Sequence, residues 1–280
     1  MQKGKRRQHR RLILRQKGDD EMPEGSLPAA EQLNAMAEEG RRLIEVRRAK
    51  GPDPNSALIW FPPIQAKGLP VPRTMFVEYE PMSLWPICDG QEPRADFPLA
   101  KLKETAGQMG YPVFVRTDLA SAKHDGPKSY RADSEEDLLR CVCRTFEDNA
   151  CKDIVDFTRC WMFREFLNIG HSFTGFGGLP IGREWRFFAD QDGVKCHHFY
   201  WPEEAIERGF GIPEDWRDKL AVLSTEPDVE TLGTLSDMAL KAVQAIGEHC
   251  WSVDFAQDVS GKWWLIDMAR AESSWHPKHE

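Results

Sequence analysis

Two apolar segments near the end of the chain constrain its fold most. Trp251-Ser-Val-Asp-Phe-Ala-Gln-Asp258 and Lys262-Trp-Trp-Leu-Ile-Asp-Met-Ala269 are separated only by Val259-Ser260-Gly261. A connection that short reads as a strand–turn–strand pair, and such pairs run antiparallel. Each segment also carries a carboxylate among large apolar neighbours: Asp254 between Val253 and Phe255, and Asp267 after Ile266. Burying a carboxylate is costly unless a cation meets it. If the hairpin brings the two within about 4 Å, they repel by roughly 4 kcal/mol at an effective dielectric near 20. Two readings answer that repulsion. A divalent ion sits between them, and oxygen ligands favour Mg²⁺; or each carboxylate caps a loop or pairs with an arginine such as Arg270.

The rest of the chain alternates single helices with short strands. Residues 29–50 have apolar positions at helical spacing and stop at Gly51-Pro-Asp-Pro-Asn-Ser56. Ala57-Leu-Ile-Trp-Phe61, closed by Pro62–Pro63, is expected as a short buried strand, and Thr74–Tyr79 as another. A helix is expected over 98–109, a strand over 111–118, and a helix within 131–149 headed by Asp133 or Ser134. Residues 153–167 are expected to hold a long strand ending near Leu167. The glycine-rich stretch 170–182 is read as a mobile connection. Strands over 183–190 and 194–201 then join through Asp190-Gln-Asp-Gly193, and a helix spans about 231–250. No internal repeat is evident. Antiparallel hairpins between single helices make the fold class α+β.

Charge narrows the function. Eight of the 37 basic residues and none of the 45 acidic ones fall in residues 1–18, so the body is strongly acidic. A uniformly basic nucleic-acid binder is excluded. The arm itself reads as a solvated tail, a contact for phosphate-rich partners such as nucleic acid, or an organelle-targeting peptide. No apolar run reaches the roughly 18 residues of a membrane span. Seven cysteines, with no Cys-x-x-Cys pair, argue against a disulfide framework and for buried free thiols in a reducing cytoplasm. The glycines at 170–182 do not make a P-loop, and no nucleophile elbow or His-Glu-x-x-His helix occurs.

Several other side chains suit chemistry on anions. Arg116, Lys123 and Lys128 surround a strand end and its loop, where backbone N–H groups can join cations on a polyphosphate; alternatively they are simply solvated. Glu184 and Arg186 alternate onto one face of a strand, as a reactive pair or as a surface ion pair.

In order and spacing these pieces resemble the ATP-grasp superfamily. Leu69-Pro-Val-Pro-Arg-Thr74, then a helix, then Gly110-Tyr-Pro-Val-Phe-Val-Arg-Thr117 look like the entry to its nucleotide-binding half. One arginine and two lysines there are similar to a branch found in phages and bacteria. The resemblance covers about residues 57–277. It implies an ATP-grasp fold of two α+β subdomains closing on ATP and Mg²⁺: a basic tail at 1–22, an N-terminal region at 23–110, a nucleotide-binding subdomain at 111–182 and a C-terminal core at 183–280. Arg116, Lys123 and Lys128 would meet phosphates, and Trp161–Leu167 resembles the hinge strand, with Glu165, Phe166 and Leu167 at the base. Glu184 would lie with the nucleotide. Arg186 would face the transferred phosphate, with Arg270 holding a substrate carboxylate as a second catalytic residue. Asp254 and Asp267 would be the metal ligands. Ala269 departs from the pattern, standing where asparagine would ligate.

The activity so implied is ADP-forming carbon–nitrogen ligation through an acylphosphate, on an amino acid, peptide or protein, in the cytoplasm. Two alternatives remain open: a nucleic-acid-associated ligase recruited by the tail, and a degenerate ATP-binding module.

Overall fold

A computed structural model describes residues 30–277. The expectations for residues 1–18 and for the 19–28 linker lie outside them. The chain divides into two compact units, Met1–Arg47 and Arg48–Glu280. The described residues of the first all belong to one helix, α1, which runs Ala30–Ala49 and so ends two residues into the second.

The second unit opens with a departure from expectation. Ala57–Ala66 is a helix, α2, and not a strand. Its buried residues Ala57, Trp60, Phe61 and Ile64 recur at helical spacing, and the Ser56 side chain caps the first turn by accepting from Leu58 N. Pro62 and Pro63 lie inside it, sacrificing the N–H groups that would have bonded the Leu58 and Ile59 carbonyls. Apolar burial outweighs that loss.

Strand β1 (Thr74–Glu78), helix α3 (Leu99–Met109), β2 (Val113–Thr117), α4 (Pro127–Tyr130), β3 (Arg131–Ala132), α5 (Glu135–Cys151) and β4 (Cys160–Glu165) follow. The strands make one antiparallel sheet in the order β1-β4-β2-β3. β4 is shorter than expected, because Val155–Phe157 turns as a 3-10 segment ahead of it. Residues 170–182 are not a loose connection either. They form a hairpin of β5 (His171–Gly175) and β6 (Leu179–Gly182). The turn is made by Phe176, Gly177 and Gly178, all with positive φ.

The second large sheet has the order β10-β9-β7-β8. It contains β7 (Glu184–Asp190), β8 (Gly193–Phe199), β9 (Trp251–Gln257) and β10 (Trp263–Arg270), all antiparallel. Between β8 and β9 run α6 (Glu203–Glu207), α7 (Trp216–Leu223) and α8 (Val229–Ile246). The first two were not foreseen. The whole is mixed α+β.

Three apolar clusters hold these layers. One joins α2 and α8 to the second sheet through Trp60, Phe61, Leu235, Val243, Trp251, Val253 and Phe255. Another sets α3 and α5 against the first sheet through Leu102, Phe146, Val113, Val115, Trp161 and Phe163. The third packs the β5–β6 hairpin on α6 and α7. All seven cysteines are free; Cys141 and Cys160 are buried, but Cys88 and Cys151 are exposed, contrary to expectation.

Candidate active site

A cleft is lined by both large sheets, and its lining is of two kinds. Phe114, Tyr130, Phe166, Leu167, Ile169, Leu179, Pro180 and Ile266 make an apolar slot. Arg116, Lys123, Arg164, Glu184, Asp254 and Asp267 make the charged part of the lining. Strand alternation does the sorting. Val113 and Val115 of β2 enter the core, so Phe114 and Arg116 leave from the other face. At the slot, the Tyr130 and Phe166 rings lie parallel within 5°, centroids 6.4 Å apart. The Arg131 guanidinium stacks on Phe166 at 4.8 Å. Glu165 is fixed by the backbone of Arg73, whose N–H donates to its carboxylate at 2.7 Å.

The two aspartates are directly opposite each other across β9 and β10. The ladder slips between Leu265 and Asp267, making Ile266 a bulge residue. Leu265 and Met268 both reach the core while Asp267 turns to the cleft. Neither aspartate uses Arg270. Arg186, cross-strand from Asp254, holds both oxygens of that carboxylate, Nε to Oδ1 at 2.7 Å and Nη2 to Oδ2 at 2.8 Å. Arg116 Nη1 meets Asp267 Oδ2 at 3.0 Å. Burial alone would lower the Arg186 guanidinium; Asp254, then Tyr200 and Asp267, outweigh it and hold its pKa above the ordinary value.

Lys123 lies 3.9 Å from Glu184 and over the rings of Tyr200 and Trp201, at 4.6 and 5.0 Å. Burial opposes its charge, yet Tyr200, Glu184, Asp254 and Asp267 together raise its pKa. Glu184 shifts upward because it is buried, an effect that Lys123 only partly offsets and Asp254 reinforces. Its Oε2 is buried without a hydrogen bond.

Three expected site residues are not among those lining the cleft. Arg186 meets it through Asp254 and the Tyr200 ring, 4.8 Å away, while its Nη1 donates to the Trp275 carbonyl at 3.3 Å. Lys128 is exposed on α4 and does not line the cleft. Arg270 stacks over the buried Trp251 ring at 4.6 Å, on the face of β10 away from Asp267. Regular pairing runs from Asp267 to Arg270, and residues three apart on a strand leave from opposite faces. Arg164, Phe114, Tyr130 and Tyr200 line the cleft and were not anticipated. Arg164 carried a readable signal, a lone cation inside the apolar run Trp161-Met-Phe-Arg164.

Among the described residues no group of three His, Cys, Asp or Glu closes a metal cage. The acidic set still fits Mg²⁺, which takes one or two carboxylates and completes its shell with phosphate and water oxygens. Asp254 and Asp267 supply all-oxygen donors from one sheet face, and the unbonded Glu184 Oε2 lies in the same cleft.

No family model matches the sequence, and no curated protein does. Solved structures do match. N5-carboxyaminoimidazole synthase from Aspergillus clavatus, in complex with ADP and 5-aminoimidazole ribonucleotide, is 14% identical with a TM-score of 0.45, covering 77% of this chain and 44% of that one. The ATP-grasp ligase PsnB complexed with minimal precursor is 13% identical with a TM-score of 0.40, covering 76% and 52%. D-alanine–D-alanine ligase from Bacillus anthracis complexed with ATP is 9% identical with a TM-score of 0.42, covering 77% and 54%. The chain spans about half the length of the solved structures it matches.

Proposed function

We propose that this chain is an ATP-grasp ligase that binds ATP with Mg²⁺ and joins a carboxylate to an amine. One observation carries the reading: a single cleft is lined both by the apolar and aromatic side chains Phe114, Tyr130, Phe166 and Leu167 and by Arg116, Lys123 and Arg164 with Glu184, Asp254 and Asp267. A flat base suits the first set and a polyphosphate with its cation the second. The order of motifs along the chain supports the same assignment.

Asp254 and Asp267 would hold Mg²⁺, which would supply positive charge against the phosphates. Phosphoryl transfer needs alignment and charge balance more than covalent help. Phe166, Leu167 and Glu165 orient the base. Arg116 and Lys123 hold the phosphate chain, and Arg186, now held by Asp254 and the Trp275 carbonyl, would turn its fork to the transferred group when the metal takes Asp254. The substrate carboxylate attacks the γ-phosphorus, ADP leaves, and an amine then displaces phosphate from the acylphosphate. The donor and acceptor belong to the class of amino acids, peptides or proteins.

A second reading has its own observation. Both oxygens of Asp254 are engaged by Arg186, and Ala269 stands where a further ligand is expected, as in an ATP-binding module without turnover. Calorimetric titration with ATP, with and without Mg²⁺, followed by ADP release across a panel of carboxylates and amines, separates the two. Mg²⁺-dependent binding with ADP release supports the ligase. Binding without release in any pairing supports the module, and absence of binding overturns both.

A further inference from the structure

Arg164 is placed differently from the other cations at or beside the cleft. Arg186 and Arg116 each meet a carboxylate, and Lys123 approaches Glu184. The Arg164 Nη1 donates to the Ile266 carbonyl at 2.6 Å, a neutral acceptor. Its Nε and Nη2 have no hydrogen-bond partner, although the residue is only 6% exposed. Buried donors are rarely left unmatched. Arg164 also faces a like charge. Arg116 pairs with Met162 and Arg164 with Phe114 across β2 and β4, so the two arginines are diagonal neighbours on one sheet face. Burial, and after it Arg116, pushes the Arg164 pKa down to about 9. A guanidinium with two free N–H groups beside a second guanidinium is a fork for an oxyanion with two oxygens.

We infer that Arg164 is a ligand-binding residue whose Nε and Nη2 clasp the phosphate attached to the nucleoside. This rests on the nucleotide reading above. The position chooses that phosphate over the outer ones. In the β2–β4 register Arg164, level with Phe114, stands between Glu165, which leads to Phe166 and Leu167, and Arg116, which meets Asp267.

The test compares adenosine, AMP and pyrophosphate binding by calorimetry in the wild type, Arg164→Gln and Arg164→Lys, with folding checked by thermal unfolding. AMP should bind the wild type more tightly than adenosine. Arg164→Gln should lose that gain by about tenfold or more while adenosine affinity holds. Arg164→Lys should restore part of it, having the charge but not the fork. An unchanged AMP-to-adenosine ratio in Arg164→Gln overturns the inference, and so does an equal loss for both ligands, which would make Arg164 only a prop for Ile266. Failure of the nucleotide reading looks different: the wild type would bind pyrophosphate in an Arg164-dependent way but neither adenosine nor AMP.

Discussion

Asp267 stands directly opposite Asp254, yet uninterrupted alternation from Trp263 and Leu265 would have turned it into the core. The single extra residue, Ile266, changes the phase of β10 so that two carboxylates share one face. The partners are unequal. The Asp254 side chain is 6% exposed and Asp267 40%. Asp254 is the buried member of a two-point pair with the half-buried Arg186, so Asp254→Asn should lower stability by about 3–5 kcal/mol. Asp267→Asn should cost less, about 1–3 kcal/mol: it leaves the buried Arg116 short of an acceptor, but Asp267 itself is partly in water and meets that arginine through one oxygen only. Urea unfolding of both variants checks the difference; equal losses would contradict it.

The same two substitutions should act alike on ligand binding. In thermal unfolding with ATP and Mg²⁺ together, the wild type should gain about 2.7 kcal/mol at ligand a hundredfold above its dissociation constant. Asp267→Asn should keep its fold and lose that Mg²⁺-dependent gain. A full shift retained in this variant would remove Asp267 from the metal site.

Glu184 gives a pH dependence of defined sign. Burial raises its pKa in the folded protein, so between its unfolded value and that raised value the native state holds more protons than the unfolded one. Its contribution is fully present below the unfolded value and is lost as pH rises through the folded one. Glu184→Gln should flatten this fall. Denaturant unfolding of both proteins across a pH series measures it; parallel curves would mean Glu184 is not the source.

Two glycines predict opposite outcomes for alanine. A Cβ at Gly182 would strike the Gly170 carbonyl and the Ile169 side chain, and backbone cannot step aside cheaply. Gly182→Ala should destabilise by about 1–3 kcal/mol and disturb the β5–β6 pairing. Gly233, inside α8 with open space around it, should gain about 0.5–1 kcal/mol on the same change. Melting temperatures of the two variants moving in the same direction would refute the pair.

Much of this architecture was written plainly in local pattern. The 251–269 hairpin showed itself in a three-residue turn, and the helix Val229–Ile246 in its apolar stripe. That Glu184 and Arg186 leave β7 on one side follows from alternation alone. What escaped was decided by longer-range physics. Ala57–Ala66 looked extended because Pro62–Pro63 ended its apolar run, though tertiary burial makes it helical. Glycines in 170–182 looked like slack, while positive-φ residues were shaping a hairpin turn. The separation of Arg270 from Asp267 was legible, since three residues of regular strand put them on opposite faces; the bulge at Ile266, which turns Asp267 to the cleft, was not.

Strand β4 divides its side chains between two interiors. Cys160 and Met162 belong to the cluster under the second sheet, and Trp161 and Phe163 to the cluster under α3 and α5. Beside it, the Asp118 carboxylate accepts from Ser56 Oγ at 2.6 Å and Arg159 N at 2.9 Å, tying the start of α2 to the ends of β2 and β4. Neither interior can lose its order while β4 stays in place for the other. Residues 48–277 should therefore melt as one cooperative transition, with calorimetric and van't Hoff enthalpies in agreement. A substitution such as Trp161→Ala, made on one side of the strand, should weaken hydrogen-exchange protection equally on the other.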